Sequence, residues 1–145
     1  MIDLRKTSDN KFIGVIRFIL GMIFFMTGVM KLFIPTFTEA WMGQLVYAGI
    51  PFITLNFWFV PIMETVLGIL MLRGTYSRLA SLTIIPIMLI AFYVHLVVDN
   101  PALFPLQPSL PIVPVIVILM AVVILKNGSG SWSEDLKHTI KKVSS

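Results

Sequence analysis

The sequence predicts an all-α membrane protein: a four-transmembrane-helix antiparallel bundle with a short C-terminal amphipathic interfacial helix. Three observations carry this reading. Four apolar runs, at about residues 12–34, 52–72, 79–98 and 109–125, approach the roughly 20 residues needed to cross a hydrocarbon core. Hydrophobic residues make up 57% of the chain and charged residues 12%, against roughly 45–50% and 25% in soluble domains. With four spans, ten of the eleven lysines and arginines fall on one side and only Lys31 on the other. The positive-inside rule then places both termini in the cytoplasm of an inner-membrane protein. The formal charge of +4 is an orientation signal and a contact with anionic lipid, not a sign of nucleic-acid binding. The reading is one transmembrane domain over residues 1–126, followed by a cytoplasmic linker and tail helix over 127–145.

The basic N-terminal stretch precedes an apolar run without a small-residue cleavage site, which predicts a retained helix rather than a signal peptide. In that first run Gly14, Arg17, Gly21, Phe24, Gly28 and Lys31 alternate at spacings of three and four, so they share one stripe of a helix. Small residues on such a stripe let a neighbouring helix approach closely. Its two cations either snorkel to the two interfaces or serve a site.

Residues 35–51 hold Trp41, Tyr47 and several phenylalanines, and read as a loop or short helix in the outer interface, where aromatic rings settle. The second run carries Asn56, Pro61, Glu64 and Gly68. Pro61, Glu64 and Gly68 share a face that points into the bundle, and Pro61 frees the Phe57 carbonyl one turn earlier as a local acceptor. An acid near the middle of a span costs about 2.5–3.5 kcal/mol on the insertion scale for aspartate, so Glu64 must be protonated, paired or facing water.

A tight turn at Gly74 leads into the third run, which carries Pro86 and, late in the helix, His95. Asp99 follows one turn on, at a spacing that lets it orient or charge the imidazole; the alternative is a histidine that caps the helix end. Five prolines between residues 101 and 114 predict a stiff outer connection into a short aliphatic fourth helix. After Lys126 the NGSGS segment reads as a flexible break. Ser131 and Glu134 then have capping-box spacing, and Trp132, Leu136, Ile140 and Val143 form an apolar stripe opposite Lys137, His138, Lys141 and Lys142. A docking site for a partner protein is the alternative use of that helix.

The chain has no cysteine, which excludes disulfides, thiol relays, iron–sulfur clusters and thiolate zinc sites formed by it alone. With one intramembrane histidine, bis-histidine haem ligation requires two chains, so neither metal nor haem is expected. Lys31, Asn56 and His95 lie nearly level toward the outer ends of their helices, and Glu64 lies about two turns deeper. Together they predict an outward-facing polar pocket with apolar walls, suited to an amphipathic ligand such as a quinone. Glu64 and His95 are the candidate proton-active groups; Lys31, Asn56, Arg17 and Asp99 are the candidate ligand contacts. The same residues also suit a buried ion-pair network that fixes bundle register.

The segment RFILGMIFFMTGVMKL, with Arg17, Gly21, Gly28, Lys31 and Leu32, resembles the opening signature of DoxX-like membrane proteins. The stretch ETVLGILMLRGTYSR, with Glu64, Gly68, Gly74 and Arg78, and then His95, fit the rest of that pattern, over residues 13 to about 126. The resemblance implies a four-helix inner-membrane protein associated with respiratory, sulfur or oxidative-stress redox systems. It also implies a partner subunit that holds the chemistry, since no self-contained catalytic motif is present. The lack of cysteine departs from the more redox-equipped relatives. Two readings stay open: a subunit that binds a quinone-like ligand, and a non-catalytic scaffold or assembly factor. Association with a redox-enzyme subunit or with a second copy is compatible with either.

Overall fold

The computed structural model describes residues 3–108 and 110–144, and every regular element among them is helical. The helices are α1 (Lys11–Phe33), α2 (Pro35–Tyr47), α3 (Ile53–Arg73), α4 (Ser77–Val97), α5 (Ile112–Asn127) and α6 (Glu134–Ser144), with a 3-10 turn at Pro101–Leu103. By length and composition α1, α3 and α4 are able to cross a membrane. The fourth apolar run forms α5, of 16 residues, shorter than those three. Its expected first residue, Ser109, lies outside the described residues.

The glycine stripe of α1 is its packing seam. Gly14, Arg17, Gly21, Phe24 and Gly28 are all buried, and α1 runs in close contact with α3. At Gly28 the approach is so tight that a Cβ would lie 2.4 Å from Thr65 Oγ1 and 2.6 Å from its backbone nitrogen. Gly68 of α3 meets the Phe25 backbone in the same way. The second intimate pair is α4 with α5, and a core of Leu20, Phe24, Leu67, Met71, Ile84 and Val117 joins the two pairs. By contrast, α3 and α4 touch only sparsely, although they are consecutive in the chain.

Of the loop or short helix expected after Phe33, the chain forms the helix. Pro35 opens α2 in the first helical turn, where its missing N–H costs nothing. Thr38 Oγ1 donates back to the Lys31 carbonyl at 2.7 Å, which folds α2 over the end of α1.

Arg17 does not snorkel. It is 2% exposed, and its five N–H donors face five carbonyls. Nη1 donates to Met71 O and Leu72 O in the last turn of α3; Nε and Nη2 donate to Ser129 O, Ser131 O and Trp132 O. The cation therefore sits at the negative end of the α3 dipole and holds residues 129–132 against it.

The tail is thus seated, not loose. The glycines and serines of 128–131 are buried, because small residues let this backbone lie on Gly14 and place its carbonyls within reach of Arg17. The α6 cap is Ser133, whose Oγ accepts from Leu136 N at 3.1 Å, rather than Ser131, whose hydroxyl donates to Asp9. The buried Asp135 carboxylate accepts from Tyr76 N and Ser77 N at 3.0 Å, capping α4 from elsewhere in the chain, and from Ser129 Oγ and Arg5 Nε at 2.9 Å. That contact raises the Arg5 pKa above its ordinary value. On the outer surface of this assembly Trp132, Ile140 and Val143 are exposed and Leu136 is half-buried.

Candidate functional site

At the opposite end of α1, Lys31 reaches Glu64 directly. Lys31 Nζ donates to both carboxylate oxygens, at 2.8 and 2.9 Å, so the two-turn difference in depth is spanned by the lysine stem. Glu64 is 3% exposed, and the side chain of Lys31 is largely buried with it. The remaining face of the ammonium is covered by Trp41, whose ring centroid lies 4.5 Å from Nζ. Trp41 in turn donates through Nε1 to Phe57 O at 3.2 Å, the carbonyl that Pro61 leaves without its helical donor. The proline kink, the indole and the ion pair therefore form one connected unit.

The pair opens on a cavity of about 560 Å³, within the usual range for small-molecule sites. Its walls include Ile23, Phe24, Val60, Met88 and Val117, and its polar lining includes Lys31, Glu64, Asn56, His95, Gln44 and Gln107. Of the six candidate site residues, the fold brings four together here: Lys31, Asn56, Glu64 and His95. Asn56 spends its amide on the preceding turn, donating to Pro51 O at 2.8 Å.

The other two candidates lie elsewhere. Arg17 is at the far end of α1, on the carbonyls described above. Asp99 is exposed and lies past Val97, the last residue of α4, so the one-turn spacing that would set it on His95 is lost where the helix stops. His95 Nδ1 lies 2.9 Å from Ala91 O instead, and its ring stands against Phe104 with centroids 4.2 Å apart. Its Nε2 is buried and has no partner.

The end of the bundle expected to carry the mouth is the one that α2 covers. There α2 and the turn after α4 form a roof, with Gln44 Nε2 donating to Leu103 O and Trp41 tied to Phe57 O. Phe59, Leu89, Ile90 and Tyr93 line the cavity and yet are about half exposed, at 53, 55, 55 and 48%. They flank the sparse contact between α3 and α4, so this side of the cavity wall is exposed.

The DoxX family model matches residues 12–96, more than half of the 145 residues. The chain belongs to the DoxX family. No curated protein and no solved structure matches it. The matched DoxX segment contains Arg17, Lys31, Asn56, Glu64 and His95 and leaves out Asp99, α5 and the tail. With three helices long and apolar enough to span a bilayer, this DoxX chain is an integral membrane protein in contact with lipid.

Sequence reasoning left out Gln44, Gln107 and Tyr93 and treated Trp41 as interfacial. The one signal for Trp41 was the acceptor freed by Pro61, which requires a donor from another segment. Gln44 and Gln107 lie in stretches with no periodic pattern, and only the fold brings them to the cavity.

Proposed function

We propose that this DoxX chain is an inner-membrane subunit of a redox system that binds a quinone-like amphipathic ligand in the cavity beside the Lys31–Glu64 pair. In this reading residues 1–126 are the membrane domain, α1, α3, α4 and α5 all cross the bilayer, and both termini are cytoplasmic. The seated tail then lies at the cytoplasmic surface with Trp132, Ile140 and Val143 toward lipid. The redox association rests on the family resemblance and the orientation on the distribution of lysine and arginine.

The observation that carries the ligand reading is a mostly apolar cavity with a buried ion pair and an unpartnered imidazole nitrogen in its wall. Buried polar groups are normally satisfied, and an orphan beside a cavity is a place for a ligand atom. Glu64 is the proton-active acid: its two oxygens offer about four lone-pair positions, and Lys31 uses two. A ligand hydroxyl can therefore reach Glu64 without breaking the pair. Lys31 pairs with the carboxylate and is the contact for a carbonyl oxygen, and Asn56 and His95 give the head its remaining polar contacts. The exposed side of the cavity wall, at α3 and α4, faces acyl chains, the side from which a ligand with an apolar tail arrives.

Binding of a decyl-substituted benzoquinone tests this. Replacing Trp58 and Trp132 with Phe leaves Trp41, which lines the cavity, as the reporter. Saturable quenching of Trp41 is expected, weakened about tenfold or more by Glu64→Gln or His95→Ala. Quenching that never saturates, or that both substitutions leave unchanged, contradicts the reading.

A further inference from the structure

We infer that the cavity recognises its ligand through a hydroxyl donated to His95 Nε2, so that it selects the reduced, phenolic form of a quinone-like molecule over the oxidised, carbonyl form. The inference rests on the quinone-like reading above and specifies which form of that ligand the site takes.

The argument is one of donors and acceptors. Ala91 O can only accept, so the 2.9 Å contact to His95 Nδ1 requires the proton on Nδ1. In the neutral imidazole that leaves Nε2 with a lone pair and no hydrogen. The doubly protonated ring would add a second cation to an apolar cavity whose one buried carboxylate already holds Lys31 through both oxygens. Phe104 against the ring and the bond back to Ala91 fix its orientation. Nε2 is buried and unpartnered, in a residue that lines the cavity.

The other polar groups of the cavity add to the demand for a donor. Trp41 Nε1 and Gln44 Nε2 are committed to Phe57 O and Leu103 O, and Asn56 Nδ2 to Pro51 O. The acceptors left in the cavity wall are then the Nε2 lone pair and the spare lone pairs of Glu64, beside the donors that Lys31 and Gln107 also bring to the lining. A molecule with only carbonyl oxygens in its head can accept from those donors and still leaves both acceptors without a hydrogen. A molecule with two hydroxyls across a ring can meet both, and a ligand that fails to do so leaves them buried without a partner.

Three probes of one shape separate the possibilities by titration calorimetry in anaerobic detergent solution: a decyl hydroquinone, the matching benzoquinone, and the dimethyl ether of the hydroquinone, which keeps the oxygens but cannot donate. The hydroquinone is expected to bind about tenfold or more tightly than either of the others. His95→Phe should reduce that preference to within about threefold. Nitrogen NMR of the labelled histidine should show a protonated Nδ1 and an unprotonated Nε2. Equal or tighter binding of the benzoquinone, or a proton on Nε2, overturns this inference while leaving the quinone-like reading standing. No binding of any of the three overturns that reading and the inference with it.

Discussion

Removing Glu64 alone, as Glu64→Ala, is expected to destabilise the protein by about 3–5 kcal/mol, because it leaves the Lys31 ammonium, in a mostly apolar cavity beside the Trp41 ring, without its counter-charge. Lys31→Met should cost a similar amount by stranding the carboxylate. The double replacement Lys31→Met with Glu64→Leu should cost much less than the sum, since buried pairs exchanged whole for apolar groups of similar size are often near neutral. Thermal or denaturant unfolding of the four proteins in detergent gives the coupling directly. Single and double effects that simply add would mean that the two groups do not depend on each other, contrary to the 2.8 and 2.9 Å contacts.

Arg17→Ala is expected to release the tail. Five carbonyls at the end of α3 and in residues 129–132 lose a buried donor at once, and each orphaned acceptor costs about 1–3 kcal/mol unless water replaces the arginine. The loss should exceed about 3 kcal/mol. Arg17→Lys should recover only a part, because an ammonium has three donors and no planar fork. Limited proteolysis is the sensitive measure: the segment between Lys126 and Glu134 should resist cleavage in the natural protein and be cut rapidly in Arg17→Ala. Loss of that contact would also loosen α4, since Asp135 caps its first turn from the same segment. A tail that stays protected after Arg17→Ala would contradict this role.

What was legible in the sequence is what depends on local pattern. The α1 stripe, with its glycines at helical spacing, names its own packing face, and α3 lies on it. The three long apolar helices lie within two residues of their expected bounds, because length and hydropathy alone set them. Glu64 could be singled out because a carboxylate in an apolar run demands an explanation, and Lys31 was near enough in depth to give one.

The rest depended on tertiary contacts that composition does not encode. A Gly-Ser stretch reads as flexible by default, and it is ordered here because a single buried arginine collects its carbonyls. Arg17 lies near a helix end, where an arginine is usually solvated, and its acceptors come from segments more than fifty residues away. Asp99 failed as the partner of His95 for a simple reason: a four-residue spacing is a contact only while the helix continues, and α4 ends at Val97. The imidazole found a backbone carbonyl instead of a carboxylate, and its other nitrogen is left buried without a partner, in a residue that lines the cavity.

The central claim is that the cavity beside Lys31 and Glu64 holds a small amphipathic molecule, and native mass spectrometry of gently extracted protein tests it most directly. The account predicts a retained lipophilic small molecule at one copy per chain, lost from Glu64→Gln and His95→Ala variants that keep the unfolding temperature of the natural protein. Protein that carries no such molecule under conditions that preserve bound lipid, or a retained molecule that both substitutions leave in place, would contradict it.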